Sequence, residues 1–189
     1  MSESSEPVRA GGGRYQRSSG GLIGAMLVTV LAVIAFATFR ALTSDDEPTP
    51  VRAVDYAAAV QSARAEDKLL VLAPARLPLG WKATSATYTR GVSPTWHLGM
   101  LTGDSKYVGV EEARTSIKAL VEEHVDADAQ PGKEVTIGAE KWESWTDAGG
   151  DYAVARVVRG PKGAAESVLV VGSAPAAQVR QLAGSLTDR

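Results

Sequence analysis

Residues Leu22 to Leu42 read LIGAMLVTVLAVIAFATFRAL, and the 18 residues from Leu22 to Phe39 carry no charge. Eighteen residues at a helical rise of about 1.5 Å span roughly 27 Å, close to the hydrocarbon thickness of a bilayer. Lipid offers backbone N–H and C=O groups no water, so a stretch of this kind must be helical. The expected order is a cytoplasmic, disordered basic tail over 1–21, a transmembrane helix over 22–42, an acidic Pro-containing spacer over 43–53 and one extracytoplasmic domain over 54–189. The tail holds Arg9, Arg14 and Arg17 against Glu3 and Glu6, while Asp45, Asp46 and Glu47 follow the apolar run. Basic residues stay inside, so Arg9, Arg14 and Arg17 set the topology and the domain is expected outside the cell membrane. Arg40 is one counter-signal, and its long side chain can reach the outer headgroups. A cleaved signal peptide is the rival, because Ala35-Phe36-Ala37 has the small-x-small form of a cleavage site. The bulky Phe36 and the continuation of the run to Phe39 favour the uncleaved anchor.

Composition narrows the chemistry. Of the 20 basic and 22 acidic residues, 17 and 20 fall from Arg40 onward, so no basic field points to nucleic acid. There is no cysteine, which removes disulfides, thiol nucleophiles and thiolate metal sites. Two histidines make a zinc site dependent on carboxylates, an unusual ligand set. No cofactor is expected.

Along the domain, Asp55 caps a helix in which Tyr56, Ala59, Val60 and Ala63 share one face. Leu69 to Leu72 reads as a short buried strand closed by Pro74. Leu77-Pro78-Leu79-Gly80-Trp81 is a turn leading to a strand over 82–89, with further strands over 96–101 and 107–111 and a turn at Gly103-Asp104. A helix spans about 114–125, with Ile117, Leu120, Val121 and Val125 on its apolar side. Strands follow over 134–137, 141–146, 152–158 and 167–171. A last helix starts near Pro175, capped by Ser173 or Ala174, and buries Val179, Leu182, Ala183 and Leu186. Hairpin-joined strands imply an α+β domain with an antiparallel sheet and about three helices on one face. The two blocks 107–121 and 167–182 both run strand, loop, helix, as a duplicated unit would.

The ordered features Arg14-Tyr15-Gln16-Arg17-Ser18, Ala25-Met26-Leu27, Val54-Asp55-Tyr56 and Leu77-Pro78-Leu79-Gly80-Trp81 resemble the actinobacterial single-pass membrane proteins of domain-of-unknown-function family 4245. The resemblance covers about Arg14 to Leu186. It implies the anchor and the outer domain, and brings no activity, cofactor or catalytic residue.

Candidate chemistry is sparse. His97 follows Trp96 in a strand and so lies on the opposite face from it. Glu122-Glu123-His124-Val125-Asp126-Ala127-Asp128 is the only acidic run with a histidine, and it lacks the alternation and glycine turn of a calcium loop. There is no Gly-x-Ser-x-Gly elbow, phosphate loop or dinucleotide fingerprint. If Gly149-Gly150 is a two-residue hairpin loop, Thr146 faces Ala153 and Trp145 faces Val154, with Trp145 and Tyr152 on the same wet face as Glu143 and Arg156. Trp145 and Tyr152 are then the interface candidates. The expected function is a non-catalytic binding or scaffolding module taking an envelope protein, a lipid or a wall component. Two alternatives are a carboxylate-dependent hydrolase, with two carboxylates about 5 to 9.5 Å apart in a cleft, and a carrier with an enclosed apolar cavity.

Overall fold

The computed structural model describes residues 26, 28–36, 38–39 and 52–189. The chain divides into two units, Met1–Thr49 and Pro50–Arg189. In the first, the described residues are helical, and the apolar side chains of Met26, Leu31, Val33 and Phe36 are exposed. Among the described residues no helix is long and apolar enough to cross a membrane. Residues 22–25, 27, 37 and 40–42 of the expected span lie outside the described residues, as do the tail and most of the spacer.

The second unit is a mixed α+β domain. Helix α1 (Tyr56–Arg64) begins where the Asp55 carboxylate accepts the N–H groups of Ala57 and Ala58 at 3.1 and 3.3 Å. After the two-residue β1 (Ala73–Pro74) comes a meander of β2 (Lys82–Thr89), β3 (Thr95–Leu101) and β4 (Tyr107–Ala113). Helix α2 (Ile117–His124) follows, its first turn capped by Ser116 Oγ on Ala119 N–H at 3.1 Å. Short strands β5 (Gln130–Pro131) and β6 (Val135–Ile137) precede a second meander, β7 (Glu140–Thr146), β8 (Tyr152–Arg159) and β9 (Ala165–Gly172). Helix α3 (Ala176–Ser185) and β10 (Leu186–Thr187) end the chain, and β10 pairs with β1. The main sheet is antiparallel in the order β2-β3-β4-β9-β8-β7-β5, with β6 also on β7.

Alternation along the central strands assigns the faces. On the first, Trp96, Leu98, Val110, Val168, Val170 and Val154 are fully buried under α1 and α3. On the second, Leu169, Val171, Ala153 and Ala155 pack against Leu120 and Val121 of α2. The expectation of about three helices on one face is therefore corrected: two lie on one side and one on the other. The apolar runs of β8 and β9 are the cause, since strands buried on both faces need cover on both. This also bears on duplication. A twofold axis normal to the sheet between β4 and β9 would exchange the two meanders but keep each helix on its own face. Helices α2 and α3 occupy opposite faces, so that symmetry does not relate the strand–loop–helix blocks.

Four further expectations change. Leu69, Val71 and Leu72 are buried and Leu70 half-buried, but the stretch is not a strand, because its amides bond to two buried carboxylates. Pro175 itself holds the N-cap position of α3, while Ser173 Oγ accepts the Tyr107 N–H. Leu186 belongs to β10, not to the helix. The 147–151 hairpin is one residue longer than a Gly-Gly loop. Asp147 accepts the Asp151 N–H at 2.7 Å and Gly150 takes φ +95°, so Thr146 pairs with Tyr152 and Trp145 with Ala153.

Candidate functional site

β4 carries Glu111 and Glu112 side by side, and alternation sends them to opposite faces. Each anchors a polar group inside an apolar sheet.

On the first face, Glu112 is 1% exposed and Glu166 is fully buried. The Glu112 carboxylate accepts the N–H groups of Val71 and Leu72, each at 2.8 Å, and Glu166 accepts Leu70 N–H at 2.9 Å. Arg114 Nε donates to the other Glu166 oxygen at 3.2 Å. Successive amides converge because Val71 adopts φ +56°, a left-handed conformation that is strained for a β-branched residue. The guanidinium of Arg64 holds it there, with Nε and Nη2 on Val71 O at 3.1 and 2.9 Å and Nη2 on Thr187 O at 2.7 Å. Burial pushes the Glu112 carboxyl up to about 7; the Leu72 and Val71 amides oppose this and Glu166 adds to it. This pair is a convergence of carboxylates, but protein amides fill it and no substrate reaches it. It is a clamp for the 69–73 segment.

The clamp makes stability depend on pH. Glu112 titrates near 4.5 when unfolded and near 7 in the native state. Between those values the native state holds a proton that the unfolded chain has released. The contribution is therefore complete below the unfolded value and is lost as pH rises through about 7. Melting at pH 5 should come at higher temperature than at pH 8, and Glu112→Gln should flatten that slope. A Tm that rises from pH 5 to pH 8 would contradict the clamp.

On the second face, α2 packs over β8 and β9. On the β2–β3 side of that face Ser85 and His97 are half-buried and Thr87 is exposed. His97 stands opposite Glu111 across β3 and β4, and His97 Nδ1 lies 2.6 Å from Glu111 Oε1. His97 Nε2 lies 2.8 Å from Ser85 Oγ. From the end of α2, His124 Nε2 comes within 4.0 Å of Glu111 Oε2 and 3.9 Å of Glu123. The Glu111 hydrogen bond raises the His97 pKa against the lowering effect of burial. A cavity of about 380 Å³ opens here, lined by Thr95, His97, Glu111, Arg114, Glu123 and His124 among others. Among the described residues no three His, Asp or Glu side chains converge as a metal site.

Sequence reasoning singled out His97 and the Glu122–Asp128 run but missed Glu111, which joins His97 to His124. The signal was the pair Glu111-Glu112 inside a strand, where adjacent residues point to opposite faces and both are buried. The one-residue register change separates the interface candidates. Trp145 is half-buried on the second face beside exposed Val157. Tyr152 lies on the first, with the Arg180 guanidinium 5.6 Å from its ring centre. Arg9, Arg14 and Arg17 lie outside the described residues.

A family model described as "Protein of unknown function (DUF4245)" matches residues 14–186. No curated protein matches the chain. Among solved structures, the complex of Pseudomonas aeruginosa MucA and MucB is 16% identical, with a TM-score of 0.37, over 61% of this chain and 34% of that one. MucB in complex with MucA(peri) is 17% identical, with a TM-score of 0.38, over 61% and 36%. The chain thus spans about a third of the length of these neighbours, and likeness at that level carries no argument.

Proposed function

The chain belongs to the DUF4245 family, and from that premise we propose that it is a membrane-anchored envelope protein whose domain at 54–189 is an extracytoplasmic binding module. The anchor is the 22–42 stretch, a single span, with Arg9, Arg14 and Arg17 inside. The exposed apolar side chains of Met26, Val28, Leu31, Val33, Ile34 and Phe36 agree with a lipid-facing helix. The observation that carries the binding reading is the second sheet face. There α2 packs over β8 and β9, and the cavity between β3, β4 and α2 gathers His97, His124, Glu111 and Glu123 together with Arg114. A packed domain has no need to gather ionisable groups around an open cavity, and such convergence is the usual form of a ligand site. Mixed charge favours a polar ligand or a protein segment over an acyl chain. The first face, where Trp96, Leu98, Met100 and Leu182 are fully buried, is filled by its own side chains.

Two experiments test this. Protease added to intact spheroplasts should remove the domain; digestion only after the membrane is broken would reverse the topology. In native membranes, a photo-crosslinking residue replacing Glu123, at the cavity rim, should give one discrete adduct, and the same residue at exposed Lys162 should not. Identical patterns at both positions would remove the cavity as the binding site.

A further inference from the structure

The series Ser85–His97–Glu111 has more order than a binding cavity requires. Ser85 and Glu111 contact opposite nitrogens of one imidazole, at 2.8 and 2.6 Å. That is the order in which a base takes a hydroxyl proton while a carboxylate holds its tautomer. The three residues come from three neighbouring strands, and β2 is irregular between Ala83 and Ser85, a device that re-aims side chains. Two paired glycines, Gly99 and Gly109, make the floor. A Cβ on Gly99 would overlap Ser85 Oγ and stand 3.2 Å from His97 Nε2 and 3.3 Å from Tyr107 Cε2. A Cβ on Gly109 would overlap the Tyr107 hydroxyl. Ser85 Oγ and the Tyr107 ring therefore lie side by side over these two glycines, in space that any larger residue would take from them.

We infer that Ser85, His97 and Tyr107, positioned by Glu111, form an acyl-transfer site that hydrolyses carboxylic esters presented to this open face. In the first step the Ser85 proton passes to His97 Nε2 as Oγ bonds to the ester carbonyl carbon, and the carbonyl π pair moves to oxygen. The Tyr107 O–H donates to that oxyanion. Burial, reinforced by Glu111, pushes the Tyr107 pKa up to about 12, so the phenol stays a donor. Collapse breaks the bond to the alkoxy oxygen, which leaves as alcohol with the proton from His97, and Ser85 is acylated. Water, giving its proton to His97, then attacks the acyl carbon. The carboxylic acid departs and Ser85 regains its proton. Glu111 keeps the Nδ1–H tautomer throughout, and His124 stands 4.0 Å from its second oxygen.

The full-length protein in detergent, treated with a fluorophosphonate probe, should be labelled at Ser85, as read by peptide mass spectrometry. It should also hydrolyse p-nitrophenyl acetate, with a rate rising as pH passes the raised His97 value. Ser85→Ala should abolish labelling and lower hydrolysis at least a hundredfold while leaving Tm and the Glu123 crosslink unchanged. Glu111→Gln should lower the rate and shift the pH profile, which a purely structural role would not do. Absence of the Ser85 adduct overturns the inference, as does labelling that persists in His97→Ala. Either failure leaves the binding reading standing, because the Glu123 crosslink does not require Ser85.

Discussion

Replacing Glu166 by alanine is expected to destabilise the domain by about 3–5 kcal/mol, the cost of removing one partner from a buried charged network. Glu166 is fully buried, and its loss strips the Leu70 amide and Arg114 Nε of their acceptor. It also empties the space that Gly160 leaves open, since a Cβ there would overlap the Glu166 carboxyl. Residues 69–72 lie in no strand, so no sheet ladder compensates. Part of the loss is returned because the Glu112 carboxyl no longer faces a second acid. Denaturant unfolding reads the difference, and a change below about 1 kcal/mol would show that the carboxylates do not hold this segment.

Gly172→Ala should be at least as damaging. A Cβ at residue 172 would overlap the Tyr107 carbonyl oxygen and stand 2.8 Å from Val108 Cα. These are backbone atoms on the neighbouring strand, which cannot swing aside like the end of a side chain. β4 and β9 form the centre of the sheet, so relief means separating the two meanders. Overpacking typically costs about 1–3 kcal/mol, and backbone against backbone lies at or above the upper end. We expect little soluble, folded protein. Gly149→Ala, in the exposed hairpin loop, serves as the tolerated control. Equal yields and Tm for the two variants would contradict the central pairing.

How much of this could be read from the residues differs by element. Lys82–Thr89 was legible to its ends, because the Leu77–Trp81 turn precedes it. The helix face of Val179, Leu182 and Ala183 was equally plain. Leu69–Leu72 was misread because four apolar residues in a row look alike whether their amides bond to a strand or to acids 40 to 96 residues away. Register in the β7–β8 hairpin turned on one carboxylate, Asp147, accepting the Asp151 amide. That single residue moved Trp145 and Tyr152 to opposite faces. The candidate site was visible only in parts. His97 and His124 were noticed, but their meeting at Glu111 depends on the β3–β4 register and on which face α2 covers. Neither is a local property of the chain.

The Ser85 inference stands on one arrangement, His97 held between Ser85 and Glu111, and the binding reading shares its His97–Glu111 pair. Nitrogen-detected NMR of the His97 ring, followed through a pH titration, observes it directly. The account predicts a neutral form protonated at Nδ1 and a pKa above 6.5, since the Glu111 hydrogen bond outweighs burial. In Glu111→Gln the pKa should fall. A ring protonated at Nε2, or a pKa at or below 6.5 that Glu111→Gln leaves unmoved, would contradict it.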